Sequence, residues 1–449
     1  MKHFAWALLL FLGVNSTYAQ GFEVSQNGRF IIKDKQPFLW VGDTAWELFH
    51  ALDRDSATYY LKRRAEQGFT VIQAVVLAEL DGIHAPNAHG HTPLLNDDPT
   101  SPNEAYFEHV DFVIDKAAEF GLNIGLLPTW GDKIFKDKWG AGPEIFNPEN
   151  ARKYGFWIGN RYKNRKNIIW ILGGDRNPRS GTQDKEIWNA MAAGLAEAYG
   201  GNDKVLIGYH PQPNKEGASE WFHNEPWFDF NMFQTGHCRD TEVYDLIGKS
   251  YKRQPTKPVI DGEPIYEDHP VCFNAKELGT TNAFDVRKAL YLDVFAGAFG
   301  YTYGCHDIWQ FHRPGASPVN GPHFYWKQAM ELPAANQVKF LRKLLESQPL
   351  LERVPDQSLI FENNLSAHDR IQAARGKDYI WVYSAVGKPF TVVLGKISGN
   401  SLKAKWLNPR NGEIKEAGDY KNQGKQKFTP PTSGYGQDWV LILEKTGQK

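Results

Sequence analysis

Two carboxylates draw attention because each follows glycine at the end of an apolar run. In IIWILGGDRNP (168–178) the run meets Gly173-Gly174 and then Asp175, Arg176 and Asn177. In KPVIDGEPIYE (257–267) Glu263 stands behind Asp261-Gly262. Packing alone does not explain a charge at the tip of a buried strand. Glycine lets the backbone turn sharply and lets a substrate come close. A pair of carboxyl groups can divide labour on one bond. One protonates a leaving oxygen while the other attacks the carbon or activates water, which is the chemistry of glycoside hydrolysis.

Such a pair must be held by a scaffold, and the chain has a repeating one. Short apolar runs lie at 37–46, 70–80, 123–132, 167–177, 204–211, 228–237, 257–267 and 299–310. Stretches with helical spacing lie between most of them, at 56–69, 104–121, 149–163, 184–200, 241–251 and 285–297, and another closes the series at 325–347. Eight strand-like runs alternating with helices predict a (β/α)8 barrel of about 325 residues. The runs are apolar throughout, as parallel strands buried on both faces should be. An open doubly wound sheet competes, but no G-x-G-x-x-G follows the first run. From about residue 350 the pattern changes to short alternating strands with Asn/Gly turns, which predicts an antiparallel β-sandwich of about 100 residues. The predicted organisation is a leader at 1–19, a barrel over 20–348 and a sandwich over 349–449, packed together because no low-complexity linker separates them.

In such a barrel the chemistry sits at the C-terminal strand ends. The first run ends in Asp43-Thr44-Ala45-Trp46, the third in Trp130-Gly131-Asp132, and the fourth in Asp175-Arg176-Asn177. The fifth ends in His210, the sixth in His237, the seventh in Glu263 and the eighth in His306-Asp307 with Trp309 beyond. Asp175 and Glu263, on strands four and seven, lie across the mouth and are the expected catalytic pair. Each acid could instead cap the helix that follows, since Asp is a favoured N-cap; for Asp132 that is the preferred reading. Asp43 is read as a contact to sugar hydroxyls. Trp46, Trp130 and Trp309 are candidate stacking surfaces. Asn177, His210 and His306 are candidate hydrogen-bond partners of hydroxyls.

Composition narrows the partners. With 51 basic and 52 acidic residues the formal net charge is -1, which argues against nucleic acid. Aromatic residues make up 14%, a richness that suits sugar rings. The N-terminus, MKHFAWALLLFLGVNSTYAQG, has a basic start, an apolar middle and a small-x-small end, so export with cleavage after Ala19 is expected, to the periplasm or outside. No later stretch is long and apolar enough for a membrane span. An exported chain can keep disulfides, but three cysteines, Cys238, Cys272 and Cys305, leave at least one thiol free. Mostly buried free thiols are expected, with room for one bridge. His84, His89 and His91 share a loop without metal-ligand spacing and are read as a cleft wall. There is no G-x-S-x-G, H-E-x-x-H or phosphate-binding loop, and neither cofactor nor metal is expected.

FLWVGDTAW, WILGGDRNP and VIDGEPIYE in this order resemble the apiosidase-like barrels of glycoside hydrolase family 140, whose members release apiose from the pectin rhamnogalacturonan II. The resemblance covers residues 22 to 348. The rest is similar to the β-rich module that often follows that barrel and carries a collagen-binding label. The resemblance implies a retaining exo-enzyme with Asp175 as acid/base and Glu263 as nucleophile, acting on a plant cell-wall saccharide. Asp175 must then hold a proton near neutral pH, so Arg176 is expected to point away from it. A barrel glycosidase of arabinofuranosidase-like or endo-β-glycanase specificity, or a non-catalytic carbohydrate- or collagen-binding surface protein, are the alternatives.

Overall fold

The computed structural model describes residues 21–362 and 366–446; the leader read at 1–19 lies outside them. Eight strands form one parallel sheet: β1 (Val41–Thr44), β2 (Val71–Leu77), β3 (Asn123–Thr129), β4 (Ile168–Gly173), β5 (Ile207–His210), β6 (Phe230–Gln234), β7 (Val259–Glu263) and β8 (Tyr301–Tyr303). Their order is β7-β6-β5-β4-β3-β2-β1-β8. The last gap, between β7 and β8, is closed at both flanks. Phe299 N–H donates to Val259 O at 2.9 Å, and Glu267 bridges Cys305 in parallel. The sheet is thus a (β/α)8 barrel, with the major helices of the ring between and after its strands.

Alternation explains why the strands read as unbroken apolar runs. In β4, Ile169 and Ile171 point into the barrel with Trp40, Val71 and Phe230, while Ile168, Trp170 and Leu172 pack outward under the helices. Both faces are buried, so no polar residue marks either. A small antiparallel sheet, Phe22–Val24, Ile31–Lys33 and Gln36–Phe38, adds Phe22, Phe30 and Ile31 to the same interior cluster. The sequence reading did not separate this plug from the first barrel run.

The C-terminal strands form a six-stranded and a three-stranded antiparallel sheet. Ile380, Val382, Leu441 and Leu443 face the smaller sheet. Their neighbours Tyr379, Trp381, Tyr383, Val440 and Ile442 belong to the barrel's outer core. Tyr383 stacks on Tyr291 with ring centroids 4.9 Å apart. Arg287 pairs with Asp438 at 2.8 Å in a buried junction. The sandwich therefore has no solvated outer face on this side, and it packs on Ala283–Ala296, the helix between β7 and β8.

Candidate active site

The turn after β4 is built by steric exclusion. Gly173, Gly174 and Asp175 have φ of 86°, 110° and 52°, three left-handed residues in succession. A Cβ on Gly173 would lie 2.3 Å from His210 O, and one on Gly174 would lie 2.6 Å from the Trp130 ring. Only glycine fits there, and Asp is among the few other residues that tolerate this region. The turn delivers the Asp175 carboxyl to the barrel mouth, 18% exposed. Its Oδ2 accepts from Trp139 Nε1 at 3.0 Å.

The end of β7 carries a bulge. Asp261 faces Phe233 and Glu263 faces Gln234, so Gly262 is extra. A Cβ on Gly262 would sit 2.4 Å from Met232 sulfur, and its carbonyl accepts from Gln73 across the barrel at 2.8 Å. Asp261 accepts from the hydroxyl and backbone N–H of Thr235 and from the backbone N–H of Glu263. The bulge and this brace turn Glu263 inward.

His210 joins the two acids. Its Nδ1 accepts the Asp175 backbone N–H at 3.3 Å, so in the neutral ring the proton is on Nε2. Nε2 lies 3.0 Å from Glu263 Oε2, and His237 Nε2 lies 3.5 Å from Oε1. Burial pushes the Glu263 carboxyl up, but the contacts with His210 and His237 outweigh it and hold the group far below the usual carboxylate range. Asp175 moves the opposite way. Burial, then the negative charge of Glu263, push it up to about 6, against the pull of Arg176, Trp139 and His210.

Arg176 does not point away, contrary to expectation: its Nη1 lies 3.3 Å from Asp175 Oδ2. Its other contacts explain why Asp175 still stays high. The guanidinium donates to the carbonyls of Phe135 (2.7 Å), Lys136 (2.8 Å) and Asp175 itself (2.6 Å). It is a staple for the turn and for the loop after β3, and only one long contact reaches the carboxyl.

Aromatic groups complete the mouth. The Trp46 ring is 5.2 Å from Trp130 and 5.3 Å from His210. Trp130 Nε1 is a buried donor with no partner among the described residues, which a ligand or water would satisfy. Trp46 Nε1 donates to the Tyr266 hydroxyl at 3.0 Å. Burial, then the Glu263 charge, keep the Tyr266 phenol protonated.

Other residues named from the sequence sit elsewhere. Asp43 is fully buried and pairs with Arg64 at 2.6 Å, while Tyr60 donates to it. It braces the barrel wall and meets no ligand surface. Asn177 Oδ1 accepts the Gln212 backbone N–H at 3.0 Å and fixes two loops. His306 has no exposed surface; its Nδ1 accepts from Trp309 Nε1 at 3.3 Å, and its ring packs 4.5 Å from His269. It supports Trp309 and the stacked pair His237–His269 from behind. Asp132 caps no helix: it is buried against Lys133 at 2.6 Å and accepts from Gly142 N–H. His84 lies outside, between Asp81 and Asp97. Cys238 and Cys272 form a disulfide between the loops after β6 and β7, and Cys305 is a buried free thiol.

Glu79 was missed. It stands two residues past the end of β2, half-buried, and burial and then the charge of Asp175 push its carboxyl well up. No glycine flags it, and β2 was left out of the strand-end survey. Tyr266 and Trp139 were missed as well, and for Tyr266 the signal is Gly304, whose Cβ would fall 2.0 Å from the Tyr266 ring.

Comparison with known proteins bears on the family and the fold. Residues 25–352 match the family model "Apiosidase-like, catalytic domain", and residues 354–444 match "Putative collagen-binding domain of a collagenase". A solved "glycoside hydrolase" is 34% identical, with TM-score 0.87, covering 96% of this chain and 98% of its own. A structure described as a glycoside hydrolase family 5 protein from Bacteroides vulgatus is also 34% identical, with TM-score 0.87, covering 96% of this chain and 94% of its own. A β-L-arabinopyranosidase from Geobacillus stearothermophilus shares the fold alone, at 12% identity and TM-score 0.51, covering 91% of this chain and 97% of its own. No curated protein sequence matches the chain. With its catalytic barrel matched over most of the chain and its full-length likenesses among glycoside hydrolases, the chain belongs to the apiosidase-like family of glycoside hydrolases.

Proposed function

We propose that this protein is an exported, exo-acting retaining glycosidase that releases apiose from rhamnogalacturonan II side chains. Asp175 is the acid/base and Glu263 the nucleophile. The observation that carries the assignment is the opposite setting of two neighbouring acids: one is held near a pKa of about 6 and the other is kept ionised by two histidines.

Protonated Asp175 donates to the glycosidic oxygen as a Glu263 oxygen bonds to the anomeric carbon and the leaving group departs. The glycosyl ester has no charge on Glu263. One of the causes that raised Asp175 is then gone, and its pKa falls. Asp175 is thereby ready to take a proton from water, whose oxygen attacks the anomeric carbon and frees Glu263. His210 and His237 hold the nucleophile ionised and oriented; Trp139 and the Arg176 staple hold the acid. The disulfide supports the export reading, because such bonds persist in oxidising compartments.

The test is sugar release from rhamnogalacturonan II fragments and from an aryl apioside, by wild type beside Glu263→Gln and Asp175→Asn. Apiose from wild type alone supports enzyme, pair and substrate together. Release of a different sugar moves the specificity elsewhere and leaves the pair standing.

A further inference from the structure

The tryptophans named from the sequence offer little face to a ligand, since Trp46 and Trp130 are each 2% exposed. Trp139, on the loop after β3, is 55% exposed. A large apolar ring left in water beside a reacting group needs a reason other than packing. The Arg176 guanidinium lies over the ring, 5.2 Å from its centroid. The face turned from Arg176 is the free one.

The loop beneath this exposed ring is held tightly. Asp132 and Lys133 form a pair with no exposed surface, and Asp132 accepts the Gly142 N–H at 2.8 Å. Arg176 donates to the Phe135 and Lys136 carbonyls. A Cβ on Gly140 would lie 2.2 Å from the Lys136 carbonyl oxygen and 2.6 Å from Arg176 Nη2. Trp139 is thus a preorganised surface, and a ligand that meets it spends little on ordering it.

Hydrogen bonding places the ring relative to the reaction. The two donors that reach the Asp175 carboxyl, Trp139 Nε1 at 3.0 Å and Arg176 Nη1 at 3.3 Å, both reach Oδ2. In the neutral acid the proton therefore sits on Oδ1. The glycosidic oxygen must come within about 3 Å of that proton's carrier. An indole bonded to one oxygen of the carboxyl borders whatever meets the other. That neighbour is the leaving group.

We propose that Trp139 is the platform for the leaving group: its free face stacks on the apolar face of a ring-shaped aglycone, while its N–H reserves Oδ2 so that Oδ1 delivers the proton. This role rests on the glycosidase reading but on no particular sugar at the anomeric side. It adds a preference that the catalytic pair does not impose, for flat cyclic leaving groups over small acyclic ones.

The test compares benzyl and methyl glycosides of the sugar that wild type releases, with wild type, Trp139→Phe and Trp139→Ala. Benzyl alcohol and methanol leave with similar basicity, so their difference reads the ring contact. The quantity is kcat/KM, which ends at departure of the leaving group. Wild type is expected to favour the benzyl glycoside by about tenfold, the increment of one stacked ring. Trp139→Ala should lose that preference and Trp139→Phe should keep most of it. Both variants lack the N–H that stabilises ionised Asp175, so the basic limb of the pH profile should move to higher pH in each. Glu263, Glu79, Arg176 and His210, the other titratable and charged groups around Asp175, are unchanged in both. Equal kcat/KM on the two glycosides in wild type overturns the platform. So does a benzyl preference that survives in Trp139→Ala with its fold intact by circular dichroism, or a loss in Trp139→Ala that is the same on both glycosides. A wild type inert on every glycoside fails the glycosidase reading and takes this role with it, whereas an active wild type without the preference fails this role alone.

Discussion

His210 places Nε2 3.0 Å from Oε2 of Glu263, and its other ring nitrogen accepts the backbone N–H of Asp175. One imidazole therefore positions the turn that carries Asp175 and supplies a contact that keeps Glu263 ionised. Truncation should uncouple both. His210→Ala is expected to cost about 10²-fold or more in kcat, since a misplacement of 1 Å near the reacting atoms has that effect. The Glu263 carboxyl should also titrate higher, seen as an acid limb of the rate profile that moves toward neutral pH. An unchanged limb would mean that His210 only packs.

The pH profile of kcat/KM follows from the two settings. In the proposed role of acid Asp175 must be protonated, so activity is expected below its pKa of about 6 and is lost as pH rises through it. Glu263 must be ionised, and its pKa lies far below the usual carboxylate range, so the acid limb falls well under pH 4, the ordinary value for a carboxylate. In Asp175→Asn the basic limb should vanish on an aryl glycoside, whose leaving group needs little protonation. A basic limb that persists in this variant would belong to another group.

Gly174 has no room for a side chain, and its φ of 110° disfavours one. Gly174→Ala is expected to push the Trp130 ring and lower kcat by about 10²-fold, with a change in tryptophan emission. Gly181, where a Cβ meets nothing within 4 Å, serves as the control: Gly181→Ala should leave kcat near wild type.

Asp43 and Arg64 form a pair with no exposed surface. Asp43→Ala leaves a buried guanidinium uncompensated and should cost about 3–5 kcal/mol, read as a lower thermal midpoint. The double variant Asp43→Leu/Arg64→Met should recover much of the loss, because apolar groups of similar size replace such pairs at little cost. A sugar-binding Asp43 would instead raise KM and leave the midpoint alone.

Cys238 and Cys272 close a loop with a sequence separation of 34. Their reduction is expected to lower stability by roughly 2–4 kcal/mol. It should also loosen His237, whose carbonyl accepts the Cys272 N–H at 2.9 Å, and so raise KM in reducing buffer. A thermal midpoint indifferent to reductant would contradict this.

The barrel was legible because its strands are apolar on both faces and each is followed by polar loop and helix. Asp175 and Glu263 were legible because glycine precedes each. The rest depended on contacts that no local pattern carries. Asp43 looks like a strand-end acid, yet it turns toward Arg64, which the helix Arg54–Gln67 brings up from 21 residues along the chain. Arg176 was expected to avoid Asp175, and that expectation counted charge but not the three carbonyls that hold the guanidinium in place. Glu79 lacks a flanking glycine, and only the closed ring of strands sets it beside Asp175. The pairing of Cys238 with Cys272 needed the loops after β6 and β7 to meet.

The central claim is that Glu263 attacks the anomeric carbon while Asp175 supplies the proton. The most direct measurement is proton NMR of the first sugar released from an aryl apioside, with intact-protein mass spectrometry of Asp175→Asn during turnover. The account predicts release with the anomeric configuration of the substrate, and a glycosyl adduct that maps to Glu263. Release with inverted configuration and no adduct would contradict it.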